Sequence, residues 1–395
     1  MKLFKSLLIA PATLGLLAPM SATANELNLA EVSGYSSSEE VQNISEFYPK
    51  ELAVTNSRVD GLEARINEFE AGSFSETTTA SFSADFYLGA YDGGTTATNE
   101  PVQATYGFQI DLNTSFTGED SLDISLDAGN TVGVDSASVT TSVLEFDGNS
   151  TADALVVDGV SYTFPLGEAT VFVADNGDAS ALFTTACTYG GPTNFLDDCG
   201  NVNAGPTGGG VAAGGSYDFG NGFSLAAGYQ ATDAQENLGI MTEFSLDSYA
   251  LNAAYSASNY GVSVTYSSVE DGILATSKED TYTAFNGYYS PDAEGFPSIS
   301  VGYEIGDDAS ETDLDEITSF FVGLQWDEMG PGSFGVAMGH SNTVESADEE
   351  YQYEAYYSYP INDGMTVTPV IFTKESATAG QDDATGFMVK TSFSF

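Results

Sequence analysis

The side chains able to do chemistry in this sequence are almost all carboxylates. Fifty-eight Asp and Glu face eight Lys and Arg, a formal charge of −50, and no base occurs between Ile66 and Ser277. Phosphate backbones must be met by cationic groups, so a nucleic-acid partner is excluded. Two readings of the charge stand side by side: solubility in a salty medium that screens self-repulsion, and a passage that favours cations. Catalysis finds no candidate. There is one histidine, His340, with no partner at triad spacing. The glycines Gly208-Gly209-Gly210 and Gly214-Gly215 lack the strand–loop–helix setting and the lysine of a phosphate cradle. The chain is therefore not expected to be an enzyme.

Acids cluster at Asp307-Asp308, at Asp313 with Asp315-Glu316, and at Asp348-Glu349-Glu350. Calcium and magnesium take several carboxylate oxygens, but none of these runs has the spaced twelve-residue loop with its glycine. Solvated loops that hold such cations weakly are the expectation, and no cofactor is expected. Cys187 and Cys199 lie in a stretch rich in Gly, Asn and Asp. In an exported protein they suggest a disulfide closing that loop. A metal pair is disfavoured, because His340 is remote.

Export is indicated by the first 24 residues. Lys2 and Lys5 precede the apolar run from Leu7 to Leu17, and Ala22-Thr23-Ala24 suits signal cleavage. Residues 25–50 are polar and irregular. Leu52, Val59 and Ile66, with Leu62 and Phe69 in the second position, form a short heptad seam. This predicts a helix over 51–72, stopped at Ala71-Gly72, with a coiled-coil seam and a plain amphipathic linker as its two readings.

From 73 to 395 the period is two. Val102, Ala104, Tyr106, Phe108, Ile110 and Leu112 alternate with Gln103, Thr105, Gly107, Gln109, Asp111 and Asn113. Such a run exceeds the usual soluble strand and matches a tilted membrane strand of about nine to eleven residues. Hairpins repeat the scheme, turning at Gly220-Asn221-Gly222, Ser258-Asn259, Gly330-Pro331-Gly332 and Asn362-Asp363-Gly364. Longer acidic connections alternate with these short turns, and Tyr, Phe and Trp concentrate near strand ends. The expected fold is all-β: a transmembrane antiparallel β-barrel of about sixteen strands, with two weaker candidates between Leu122 and Phe146. The last strand places Phe387, Val389, Phe393 and Phe395 at alternate positions up to the carboxylate. That ending resembles the terminal signal by which outer-membrane barrels are recognised for assembly.

Glu51-Leu52-Ala53-Val54, with the run from Arg58 to Arg65, resembles the coiled-coil linker of cyanobacterial outer-membrane porins. These are relatives of the OprB-like carbohydrate-selective porin family. Phe74 to Thr79 and Tyr162 to Gly167 resemble further blocks of the same proteins. The resemblance implies an outer-membrane porin, commonly a homotrimer, placed in lipid by the barrel assembly machinery. It implies passive diffusion of ions and small hydrophilic solutes, sugars among them. The S-layer-homology domain usual between signal and linker has no counterpart in 25–50, so wall anchoring through it is expected to be lost. Porins narrow their pore with an inward-folded loop, and the stretch from Ala174 to Gly210 is the candidate. Asp175, Asp178, Asp197 and Asp198 are its expected constriction acids, stiffened by Cys187–Cys199 and favouring cations; the alternative is an ordinary extracellular loop. Lys390, beside Val389, is expected to face the lumen and pair with a wall carboxylate. The competing reading is a structural or adhesive outer-membrane barrel with acidic, cation-binding loops and little conductance.

Overall fold

The computed structural model describes residues 78–395, apart from 94–101, 131–148, 150, 195, 208, 233, 235–238, 243–244, 271–278, 294, 308–315, 346 and 377–381. The expected signal peptide, polar segment and coiled-coil helix lie outside the described residues.

Among the described residues the two-residue periodicity becomes sixteen strands. The first eight are β1 (Thr78–Asp92), β2 (Gln103–Thr114), β3 (Ser121–Gly129), β4 (Val156–Leu166), β5 (Ala169–Asp175), β6 (Val211–Asp218), β7 (Phe223–Ala231) and β8 (Asp247–Ser256). The rest are β9 (Tyr260–Glu270), β10 (Glu279–Tyr289), β11 (Ser298–Asp307), β12 (Glu316–Met329), β13 (Gly332–Val344), β14 (Gln352–Asn362), β15 (Met365–Lys374) and β16 (Ala384–Ser394). Each pairs with its chain neighbours, and β16 returns to β1, closing an antiparallel barrel. Closure leaves no unpaired edge, which is the condition for a sheet to stand in lipid.

Side chains on a strand point alternately to its two faces. In β1 the consequence is sharp: Phe86 and Leu88 are 51% and 48% exposed, while Tyr87 between them is 1% exposed. The same outward exposure recurs at Leu225, Leu251, Val262, Val264, Val301, Ile371 and Phe387. An apolar face running round the whole barrel far exceeds what a water-soluble monomer shows, and it calls for a hydrocarbon surround. Aromatic pairs gather at the short-turn end, including Tyr217–Phe219 at 4.8 Å, Phe223–Tyr255 at 4.6 Å and Trp326–Phe334 at 5.6 Å between ring centroids. At the long-loop end Tyr229 meets Tyr249 at 5.2 Å, and His340 meets Tyr351 at 5.4 Å. His340 is thus a buried member of this second aromatic band, with Nδ1 hydrogen-bonded to Thr343.

The terminal strand completes the ring. Phe82 and Phe395 exchange backbone hydrogen bonds at 2.9 and 3.0 Å, and their rings stack at 5.6 Å. Phe86 meets Phe393 edge-on at 6.0 Å. Leu88 stands opposite Val389, and Ala90 opposite Phe387. The alternate residues of the C-terminal run therefore form the outward face of the closing seam.

On β2 and β3 the inward positions are small or polar, and they satisfy one another. Asp111 accepts from Gln109 at 2.7 Å and Ser125 at 2.6 Å, and Asp123 accepts from Asn113 and Ser121. In the turn joining these strands, Asp120 accepts from Tyr162, Ser115 and both the amide and hydroxyl of Thr117. The Tyr162 hydroxyl foremost, then Thr117 and Ser115, hold its carboxyl well below the usual carboxylate range.

Candidate functional site: a loop folded against the inner wall

The stretch 176–210 joins β5 to β6, and its described residues lie against the inner wall of the barrel. Backbone without sheet partners needs other acceptors when it is taken out of water. The wall supplies them from strand after strand. The amide of Ala179 donates to Gln230 on β7 at 3.0 Å, and that of Thr184 to Asn252 on β8 at 3.0 Å. Ala186 donates to Ser263 on β9, Thr188 to Ser300 on β11, and Gly190 to Gln325 on β12, each at 2.9 Å.

The tip is held by Glu354 on β14. Its carboxylate accepts from the Tyr189 hydroxyl at 2.5 Å and from the Thr193 hydroxyl. Burial, with Glu354 alongside, pushes the Tyr189 hydroxyl far up, so it remains a donor. Its ring packs on Phe321 at 5.4 Å and Tyr356 at 5.9 Å. Leu196, Cys199, Ala337, Phe372 and Met388 extend this into one apolar cluster. The returning limb is held by Glu304 on β11, which accepts from the amides of Asn203 and Ala204 and from the Asn203 side chain, all at 2.8 Å. Asn286 on β10 donates to the Cys199 carbonyl at 2.8 Å.

Two wall glycines make room for this path. A Cβ on Gly228 would stand 1.8 Å from the Ala179 carbonyl oxygen, and one on Gly302 would stand 1.8 Å from that of Cys199. Only a residue without a side chain lets the loop lie so close.

The expected site residues fall in different places. Asp175 is the last residue of β5, one step before the loop begins, and Asp178 lies on the loop's first turn. Both border a cavity of about 680 Å³ between the loop and the wall of β3–β5. Asp197 and Asp198 sit on the returning limb, next to Cys199, and are not among the cavity's lining residues. Cys187 and Cys199 are joined by a disulfide with their Cα atoms 6.4 Å apart. The Lys390 ammonium faces inward and pairs with Asp85 at 3.1 Å, above the Tyr87 ring.

Sequence reasoning missed the anchors Gln230, Asn252, Glu304 and Glu354, and the cavity acids Asp123 and Asp158. One signal was available for the anchors. Glu304 and Glu354 stand at inward positions among small or polar neighbours, each the largest acid in its run. A buried carboxylate demands donors, and a wall strand has none spare. Among the acidic runs, Asp307 and Glu316 pair across β11–β12 at the long-loop end. No group of three or more His, Cys, Asp or Glu is placed to hold a metal ion among the described residues.

No family model matches the chain. An uncharacterized protein of the cyanobacterium Nostoc sp. is 28% identical over 421 residues, which cover 90% of this chain and 72% of the relative. Pseudomonas putida OprB superposes with a TM-score of 0.59 at 13% identity, over 81% of this chain and 94% of that one. A loop-deletion mutant of OmpT, an outer-membrane protein of Vibrio cholerae, superposes at 0.51 with 11% identity, covering 81% of this chain and all of its own. At these identities the solved structures share the barrel fold with this chain.

Proposed function

We propose that this protein is a porin of the outer membrane, passing ions and small hydrophilic solutes by passive diffusion and favouring cations. The observation that carries the reading is the inward loop. It is bound along β7–β14 and leaves an acidic cavity of about 680 Å³ against β3–β5. The electrostatics support the cation preference. Among the described residues only Lys374 and Lys390 carry amines, and neither borders the cavity, whereas Asp123, Asp158, Asp175 and Asp178 do. Carboxylates around a narrow aqueous path raise cation occupancy and repel anions.

The outward apolar face and aromatic bands support the membrane location, with the short turns on the periplasmic side. The Phe395 seam supports recognition by the barrel assembly machinery, and the homotrimer implied by the cyanobacterial-porin resemblance belongs to the same reading. Purified protein in a planar bilayer under a KCl gradient tests it. Stepwise conductance with a cation-signed reversal potential is expected. Silent insertion would favour a plugged structural barrel, and an anion-signed potential would overturn the charge argument.

A further inference from the structure

The disulfide Cys187–Cys199 lies on the loop against the inner wall, and wall contacts pin the chain around each cysteine. Beside Cys187, the Ala186 amide is held by Ser263 on β9 and the Thr188 amide by Ser300 on β11, each at 2.9 Å. Cys199 is 2% exposed, and its carbonyl rests on Gly302, midway along β11, where it accepts from Asn286. Both sulfurs lie near the Tyr189 carbonyl, at 3.8 and 4.0 Å, against the apolar cluster of the tip. Thiol–disulfide exchange needs the donor's sulfur to touch one of these two. Sixteen strands about 4.8 Å apart and tilted about 40° close a ring about 32 Å across between backbones. Inward side chains and the loop itself take part of that width. A folded domain of about 100 residues, with a radius of gyration of about 13 Å, is about 34 Å across. Such a protein cannot bring its own cysteines to either sulfur once the barrel is closed.

We infer that the Cys187–Cys199 bond is made before the barrel closes, by exchange with an exported oxidoreductase carrying a redox-active disulfide. One chain thiolate attacks that disulfide, forming a mixed disulfide and expelling one oxidoreductase thiolate. The other chain thiolate attacks the chain sulfur of the mixed disulfide, forming Cys187–Cys199 and releasing the second oxidoreductase thiolate. Two electrons pass from the chain to the oxidoreductase, which leaves as a dithiol holding the two protons. The chain between the cysteines suits early closure, being a separation of 12 in a stretch rich in Gly, Asn and Asp. The early bond also ties Tyr189 and Thr193 into one short ring, so both are presented together to Glu354 as the loop docks. The inference needs the export and the barrel of the reading above, and not its conductance.

The test follows free thiols on the full chain by maleimide–polyethylene glycol gel shift, and folding by heat-modifiable migration. Reduced chain, either diluted from urea without detergent or refolded in micelles, is offered oxidised glutathione or an oxidised thioredoxin-fold oxidoreductase. The unfolded chain should lose its thiols to both oxidants. The refolded barrel should lose them to the oxidoreductase at least about tenfold more slowly, because the donor sulfur is kept from contact. Equal oxidation of both forms by the oxidoreductase overturns the inference. In cells producing the full-length protein, pulse-labelled chain should carry the bond before the heat-modifiable form appears. A folded barrel that first carries free thiols and loses them later overturns the inference as well. A reduced chain that yields no barrel in micelles until it is oxidised supports the same order. Late oxidation in a conducting protein would leave the porin reading standing, and early oxidation in a silent one would leave this inference standing.

Discussion

Replacing Gly302 by alanine tests whether the loop rests on the wall along its length or is tied down only at its ends. The added Cβ would stand 1.8 Å from the Cys199 carbonyl oxygen and 2.7 Å from the Asn286 amide nitrogen. Carbon–oxygen contacts settle at about 3.3 Å, so the carbonyl must retreat roughly 1.5 Å toward the lumen. That movement breaks the 2.8 Å hydrogen bond from Asn286, whose Oδ1 already has no partner. Leaving the buried amide wholly unpaired costs about 1–3 kcal/mol of loop anchoring. The sheet should not suffer, because Gly302 joins Asn286 and Phe321 through backbone pairing alone and alanine is compatible with a strand. Single-channel recording should show lower conductance and greater open-channel noise, with heat-modifiable migration unchanged. Gly287→Ala on the adjacent strand is the control, since its Cβ would meet only ordinary contacts, the nearest at 3.5 Å. Wild-type conductance and noise in Gly302→Ala would refute the proposed resting place. Loss of the folded barrel would show that the glycine serves the sheet and not the loop.

Glu354→Ala removes the acceptor of Tyr189 and Thr193, at about 1–3 kcal/mol for each orphaned hydroxyl. Subtilisin should then cut the loop faster, with Glu354→Gln intermediate, and equal rates would argue against a latch at the tip. Replacing both Cys187 and Cys199 by serine releases a closure of 12 residues, about 3 kcal/mol of chain entropy. Hydrogen exchange between the two positions should quicken while barrel melting stays in place; a fall in melting temperature would contradict a purely local role. Asp120 gives a pH test. Its folded carboxyl is held below the ordinary range, so its stabilisation is present above the unfolded value near 3.9 and is lost as pH falls through the depressed one. The amide resonances of Phe116 and Thr117, which donate to it, should show no titration step between pH 7 and about 4. A midpoint near 4 would sink this account of the turn.

The barrel was legible because its signal is local. Phe86, Leu88, Phe387 and Val389 face outward by the two-residue period of a strand, whatever their partners turn out to be. Turns such as Asn362-Asp363-Gly364 mark where the chain reverses, so strand count followed from the same short-range pattern. The lack of bases around the cavity could also be read in advance, from an interval of more than two hundred residues without one. The loop was legible as a stretch without alternation, but its path was not. Ala179 finds Gln230 across 51 residues, and Tyr189 finds Glu354 across 165. No local pattern encodes which inward side chain of which strand will meet a given loop amide. That choice depends on closure of β1 on β16, which sets all sixteen registers together and thereby fixes where Gly228, Gly302, Glu304 and Glu354 stand around the lumen. Residue type and order alone determined a carboxylate-rich barrel with an apolar outward face. Only the closed tertiary structure decided that Asp123, Asp158, Asp178 and Asn201 line one cavity that Asp197 and Asp198 do not line, because proximity in a barrel is set by registers summed around the ring.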